Sequence, residues 1–114
     1  MSSMHFFKYI NGKEANEYLS AENPKYRDWE VITLFYSALH LIERFCGSHS
    51  IHIPKSHESR ERVVLTYFSE IAEDYGSLFT LSKNARYESL IKEHDLILAQ
   101  AYFSTIETTV IPMI

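Results

Sequence analysis

Apolar residues recur at helical spacing along most of this chain, in segments that end near its few glycines and prolines. The densest segment runs from about Lys25 to Cys46. Asn23-Pro24 offers an N-cap followed by proline at the first helical position, and Gly47 marks the expected stop. Within this helix Glu30, Thr33, Ser37, His40 and Arg44 form a narrow polar stripe, expected to face solvent. Almost everything else in it is apolar, so it is a central helix or one that also meets a partner chain. A shorter helix fits Lys13 to Ala21. The polar stretch Gly47–Lys55 reads as a loop. Ser56 is a good N-cap for a helix reaching about Asp74, and a bend near Gly76 leads to a shorter stretch from Ser77 to about Asn84. A last helix should span roughly Lys92 to Val110 and stop before Pro112. Only Phe6–Ile10 and Val110–Ile114 read as extended. The expected fold is all-α, a bundle of four to five helices in a single domain over residues 1–114.

Four charges interrupt this pattern. Glu43 projects between Ile32 and Tyr36, away from the polar stripe of its helix. Arg60 falls in the middle of the face formed by Val63, Val64, Tyr67, Phe68, Ile71 and Tyr75, with His57 near its edge. Asp95 falls among Leu96, Leu98, Ala99, Tyr102, Phe103 and Ile106. Arg86 lies in the expected connection before the last helix. Buried charges are costly unless paired, so Glu43, Arg60 and Asp95 are expected to form one polar cluster inside the bundle. Such a cluster is either an architectural ion network or a ligand or reaction site. Arg60 and Asp95 both sit in first turns, where a charge can also reach water. A carboxylate at Asp95 further suits the positive end of a helix dipole.

Composition narrows the chemistry. The chain has 114 residues, 46% of them hydrophobic, which excludes a disordered tail. Its 8 tyrosines and 7 phenylalanines imply rings half-buried at an edge or interface. A net charge of −4 argues against a broadly basic nucleic-acid surface but leaves room for a local patch. No apolar run approaches a membrane span, and Met1–Asn11 lacks the apolar core of a signal peptide, so a cytoplasmic protein is expected. The single cysteine, Cys46, excludes an internal disulfide and a cysteine zinc cluster. Its place near a helix C-terminus disfavours a nucleophilic thiolate. His49, His52 and His57 are close in sequence, but their spacing lacks a carboxylate at a ligand offset, and no metal or other cofactor is expected. The isolated glycines Gly12, Gly47 and Gly76 build no phosphate loop.

Three segments together resemble HEPN-like domains: Trp29–Cys46 (WEVITLFYSALHLIERFC), the run Ser56-His57-Glu58-Ser59-Arg60, and Ala85-Arg86-Tyr87. The similarity spans about Pro24 to Ile106. It implies an all-α up-and-down bundle, often dimeric. Many such domains act on or bind RNA in toxin–antitoxin, phage-defence or CRISPR-associated systems, while others are binding modules without catalysis. The family's ribonucleases carry an arginine, four to six residues and a histidine near the start of the last long helix, where two dimer-related copies combine. Arg44 and His49 are separated by four residues but lie at a helix end and in a loop. Arg86 and His94 lie in the expected region, separated by seven.

RNA cleavage by 2′-hydroxyl attack needs a proton acceptor near neutral pH, which histidine supplies, and a cation on the transition state, which arginine supplies. His57, Arg60 and Arg86 are the candidate catalytic residues; Glu43 and Asp95 would orient or neutralise the arginines, with Tyr87 beside them. The expectation is a homodimeric RNA- or nucleotide-associated module, with an antitoxin or defence-system protein as partner and metal-independent ribonuclease activity as its catalytic form. The alternative is a non-catalytic helical interaction module whose charge cluster fixes helix register.

Overall fold

A computed structural model describes residues 27–87 and 91–114. Among these residues the regular structure is all helical, with no strand: α1 (Arg27–Ser48), α2 (His57–Tyr67), α3 (Ala72–Tyr87) and α4 (Glu93–Val110). The predicted helix at Lys13–Ala21, the Asn23-Pro24 cap and the extended Phe6–Ile10 lie outside the described residues. Helices α1, α3 and α4 pack against one another, and α2 rests on α1 and α3. The core they enclose includes Val31, Ala38, Ile42, Tyr75, Leu78 and Ile106. No described helix is long and apolar enough to cross a membrane.

The orientation of α1 corrects the expectation from its polar stripe. Glu30, Ser37 and His40 are buried, whereas Trp29 and Tyr36 are each 58% exposed. A helix apolar on most sides has no unique outward face; its neighbours decide which side they cover. Glu30 and His40 are engaged despite their burial, whereas the Ser37 hydroxyl is buried without a hydrogen-bond partner among the described residues.

Helix α1 also runs through Gly47. The left-handed residue that ends it is Ser50, at φ 56°, and the Ile51 N–H closes on the Cys46 carbonyl at 2.9 Å. That bond is the long-range bond of a Schellman turn, and Ile51 packs against the core just past it. The hydrophobic anchor, rather than the available glycine, places the stop.

Ser56 caps α2 as its sequence implies, its hydroxyl accepting the Ser59 N–H at 3.1 Å. The helix stops at Tyr67, well short of Asp74. A kink at Phe68 and a 3-10 turn over Ser69–Ile71 turn both Phe68 and Ile71 into the core, where Phe68 meets Phe45 edge to face at 4.7 Å. Helix α3 then passes through Gly76 without a break and extends to Tyr87. Arg86 and Tyr87 therefore sit on its last turn, not in a connection. At the C-terminus the predicted extended segment is instead a 3-10 turn over Ile111–Met113.

Candidate functional site

A groove of about 460 Å³ opens between α1, α2 and α3. Its apolar floor is Ile32, Phe35, Leu39 and Phe79. The spacing of Ile32, Phe35, Leu39 and Glu43 places them on one side of α1, and that of Phe79, Ser82 and Arg86 does the same on α3. The first turn of α2 adds His57 and Arg60 at one end.

Arg60 reaches across to α1. Its Nη1 lies 3.6 Å from Glu43 Oε2, with the two side chains only 15% and 13% exposed. Glu43 Oε1 is 3.2 Å from His40 Nδ1, so the carboxylate accepts from a ring N–H on its other side. The result is a His40–Glu43–Arg60 chain along the groove wall. The buried Tyr75 hydroxyl lies behind Arg60. Burial pushes that phenol up to about 12, against the opposing pull of the Arg60 charge.

His57 stacks face to face on Phe79, with ring centroids 3.5 Å apart and planes at 13°. Burial lowers its pKa below 6.5; Glu61, whose Oε2 is 3.5 Å from Nε2, works the other way, and the charges of Arg60 and Arg86 add to the lowering. His57 is therefore neutral at pH 7, and its Nδ1 is buried without a partner.

Arg86 is exposed at the rim, with its guanidinium 5.8 Å from the ring centroid of Tyr87, which is 76% exposed. It also lines a second cavity of about 340 Å³, together with Asp28, Trp29, Ile32 and Ala85. Asp28 Oδ1 there accepts the Ile91 N–H at 3.3 Å, tying the start of α1 to the entry of α4.

The expected three-charge cluster is not what forms. Asp95 turns back on its own helix and accepts the Lys92 N–H at 3.1 Å, and among the described residues no ion pair joins it to Arg60. A carboxylate three residues into a helix has a free N–H within reach and needs no distant partner. Tyr87 does not line the groove that holds the Glu43–Arg60 pair. His49 lies against Phe45 and the Met113 carbonyl, away from His57's stack on Phe79. Among the described residues no three His, Cys, Asp or Glu side chains converge as a metal set. The buried Cys46 thiol is pushed up to about 11, mainly by burial and further by Glu43.

Three groove residues carried no sequence signal as site residues. His40 belonged to the polar stripe; Phe79 and Ser82 become legible only once α3 is known to run unbroken to Tyr87. A comparison of the chain with protein-family models, curated proteins and solved structures gives no match.

Proposed function

We propose that this chain is a HEPN-like RNA- or nucleotide-binding module, an up-and-down helical bundle whose ligand lies in the groove between α1 and α3. One observation carries the reading: His57, Arg60 and Arg86 line the same groove as the exposed ring of Tyr36. Arg60 is neutralised by Glu43, which leaves exposed Arg86 as the cation for a phosphate. On a protein of net charge −4 such binding rests on this local contact and on stacking rather than on a basic surface.

The test is fluorescence anisotropy of a labelled single-stranded RNA decamer titrated with the full chain. Arg86→Ala should weaken binding about tenfold, the loss of one charge-assisted contact. Lys83→Ala, an exposed charge on the same helix, should leave it nearly unchanged. Absence of binding by the wild type overturns the reading.

A catalytic version has its own support in the neutral His57 ring at the groove, the protonation state of a base that accepts the 2′-hydroxyl proton. In that version the 2′-oxygen attacks phosphorus, the 5′-oxygen leaves with a proton from water, and cleavage persists in EDTA and leaves a 2′,3′-cyclic phosphate. His57→Ala should abolish it. The pairing of Arg60 with Glu43 favours binding over cleavage, because it lowers the positive charge offered to a transition state.

Pairing of two copies belongs to the same reading. From Ile97 to Ile111 the exposed residues of α4 and its end, among them Ala101, Ser104 and Thr108, are all uncharged. Sedimentation should show a dimer that Ser104→Glu dissociates. An antitoxin or defence-system partner rests on the resemblance alone.

A further inference from the structure

The two cavities along α1 and α3 share only Ile32 and Arg86. Each lies toward the lower end of the range of about 300–1,000 Å³ seen for small-ligand sites, room for one base with its sugar. Each also has one strongly exposed aromatic ring: Tyr36 in the first and Trp29 in the second. The shared residues stand at the junction, and one of them is a cation.

The charges decide what kind of phosphate fits that junction. Across both cavities the lining holds two arginines, Arg60 and Arg86, and two carboxylates, Asp28 and Glu43. Glu43 is paired with Arg60, and Asp28 is held by the Ile91 N–H. The lining is thus neutral overall, with Arg86 alone facing outward. A phosphodiester, with one negative charge, suits a single arginine. A terminal phosphate or a di- or triphosphate brings two or more charges close to Asp28 and Glu43 and is disfavoured.

We infer that the paired cavities hold one dinucleotide step of single-stranded nucleic acid, a base in each cavity and the linking phosphodiester on Arg86. This rests on the proposed function and deepens it: the recognised unit is an internal step of a strand, not a free mononucleotide. One base lies against Tyr36 and the next against Trp29, an arrangement tolerant of sequence because every base has a π-face.

Trp29 is the only tryptophan, so its emission reports the second cavity alone. The full chain is titrated with adenylyl-(3′→5′)-adenosine, with AMP and with ATP, following Trp29 fluorescence, while anisotropy follows a labelled RNA decamer in parallel. The dinucleoside monophosphate should quench Trp29 and bind about tenfold more tightly than AMP or ATP. Arg86→Ala should erase that preference, and Tyr36→Ala should weaken binding while leaving the quench at saturation; both residues are exposed, and circular dichroism checks that each variant is folded. If the decamer binds with Trp29 emission unchanged, or AMP binds as tightly as the dinucleoside monophosphate, the dinucleotide site is wrong and the binding module stands. If the decamer does not bind, both fall.

Discussion

The first turns of α2 and α4 pose the same problem and solve it differently. Each places a charged residue at its start on an otherwise apolar face, Arg60 in one and Asp95 in the other. Arg60 is held against α1 by a carboxylate on a different helix. Asp95 is satisfied within its own turn by a backbone N–H. The difference follows from chemistry. An arginine at a helix start has no free carbonyl beside it, because the unsatisfied groups there are N–H donors, whereas an aspartate finds donors at once. A first-turn cation on an apolar face thus points to a tertiary partner, and a first-turn carboxylate does not.

Substitutions can break this contrast. Arg60→Ala deprives Glu43 of its arginine, in a wall that is largely but not fully closed to water. The expected loss is about 2 kcal/mol in denaturant unfolding, below that of a fully buried pair. A loss no larger than that for an exposed residue would show the pair to be surface decoration. Asp95→Ala should cost about 0.5–1 kcal/mol, the scale of a local cap and dipole interaction. A loss equal to that of Arg60→Ala would mean that Asp95 has a tertiary role.

Acid sharpens the same comparison, because His57 lies in the α2 first turn and has a depressed pKa. Below pH 6.5 the unfolded chain takes up a proton that the folded ring resists. Stability should therefore fall with pH in a window that opens near 6.5 and closes at the lower folded value. His57→Phe keeps a ring on Phe79 and should remove this component from the pH–stability curve, whereas Asp95→Ala should not. The smallest effect is a gain. A Cβ at Gly76 would meet nothing within 4 Å, so Gly76→Ala should stabilise α3 by about 0.5–1 kcal/mol, read as a higher unfolding midpoint.

Signals that act within a few residues were legible beforehand. Ser56 caps α2, the last helix spans nearly the expected residues, and Glu43 and Arg60 stand out as charges in need of partners. What could not be read depends on packing. The kink at Phe68 exists because Phe68 and Ile71 are both drawn into the core, and no local breaker announces it. Gly47 and Gly76 signal boundaries in the sequence, yet helix hydrogen bonding overrides a single glycine at a cost of about 1 kcal/mol. The polar stripe on α1 suggests a solvent face, but Glu30, Ser37 and His40 are buried, since the wheel records a helix's faces and not its neighbours. For Asp95 the free N–H three residues before it outweighs its position on the wheel.

The central claim is that Arg60 belongs to Glu43 and Arg86 to the ligand. The direct measurement is RNA decamer binding by the double variant Glu43→Gln/Arg60→Met, which removes the pair without changing the groove's net charge, set beside Arg86→Ala. With both variants folded by circular dichroism, the double variant should bind within about twofold of wild type and Arg86→Ala about tenfold more weakly. Loss of binding in the double variant, with Arg86→Ala unaffected, would contradict the claim and make Arg60 the residue that contacts RNA.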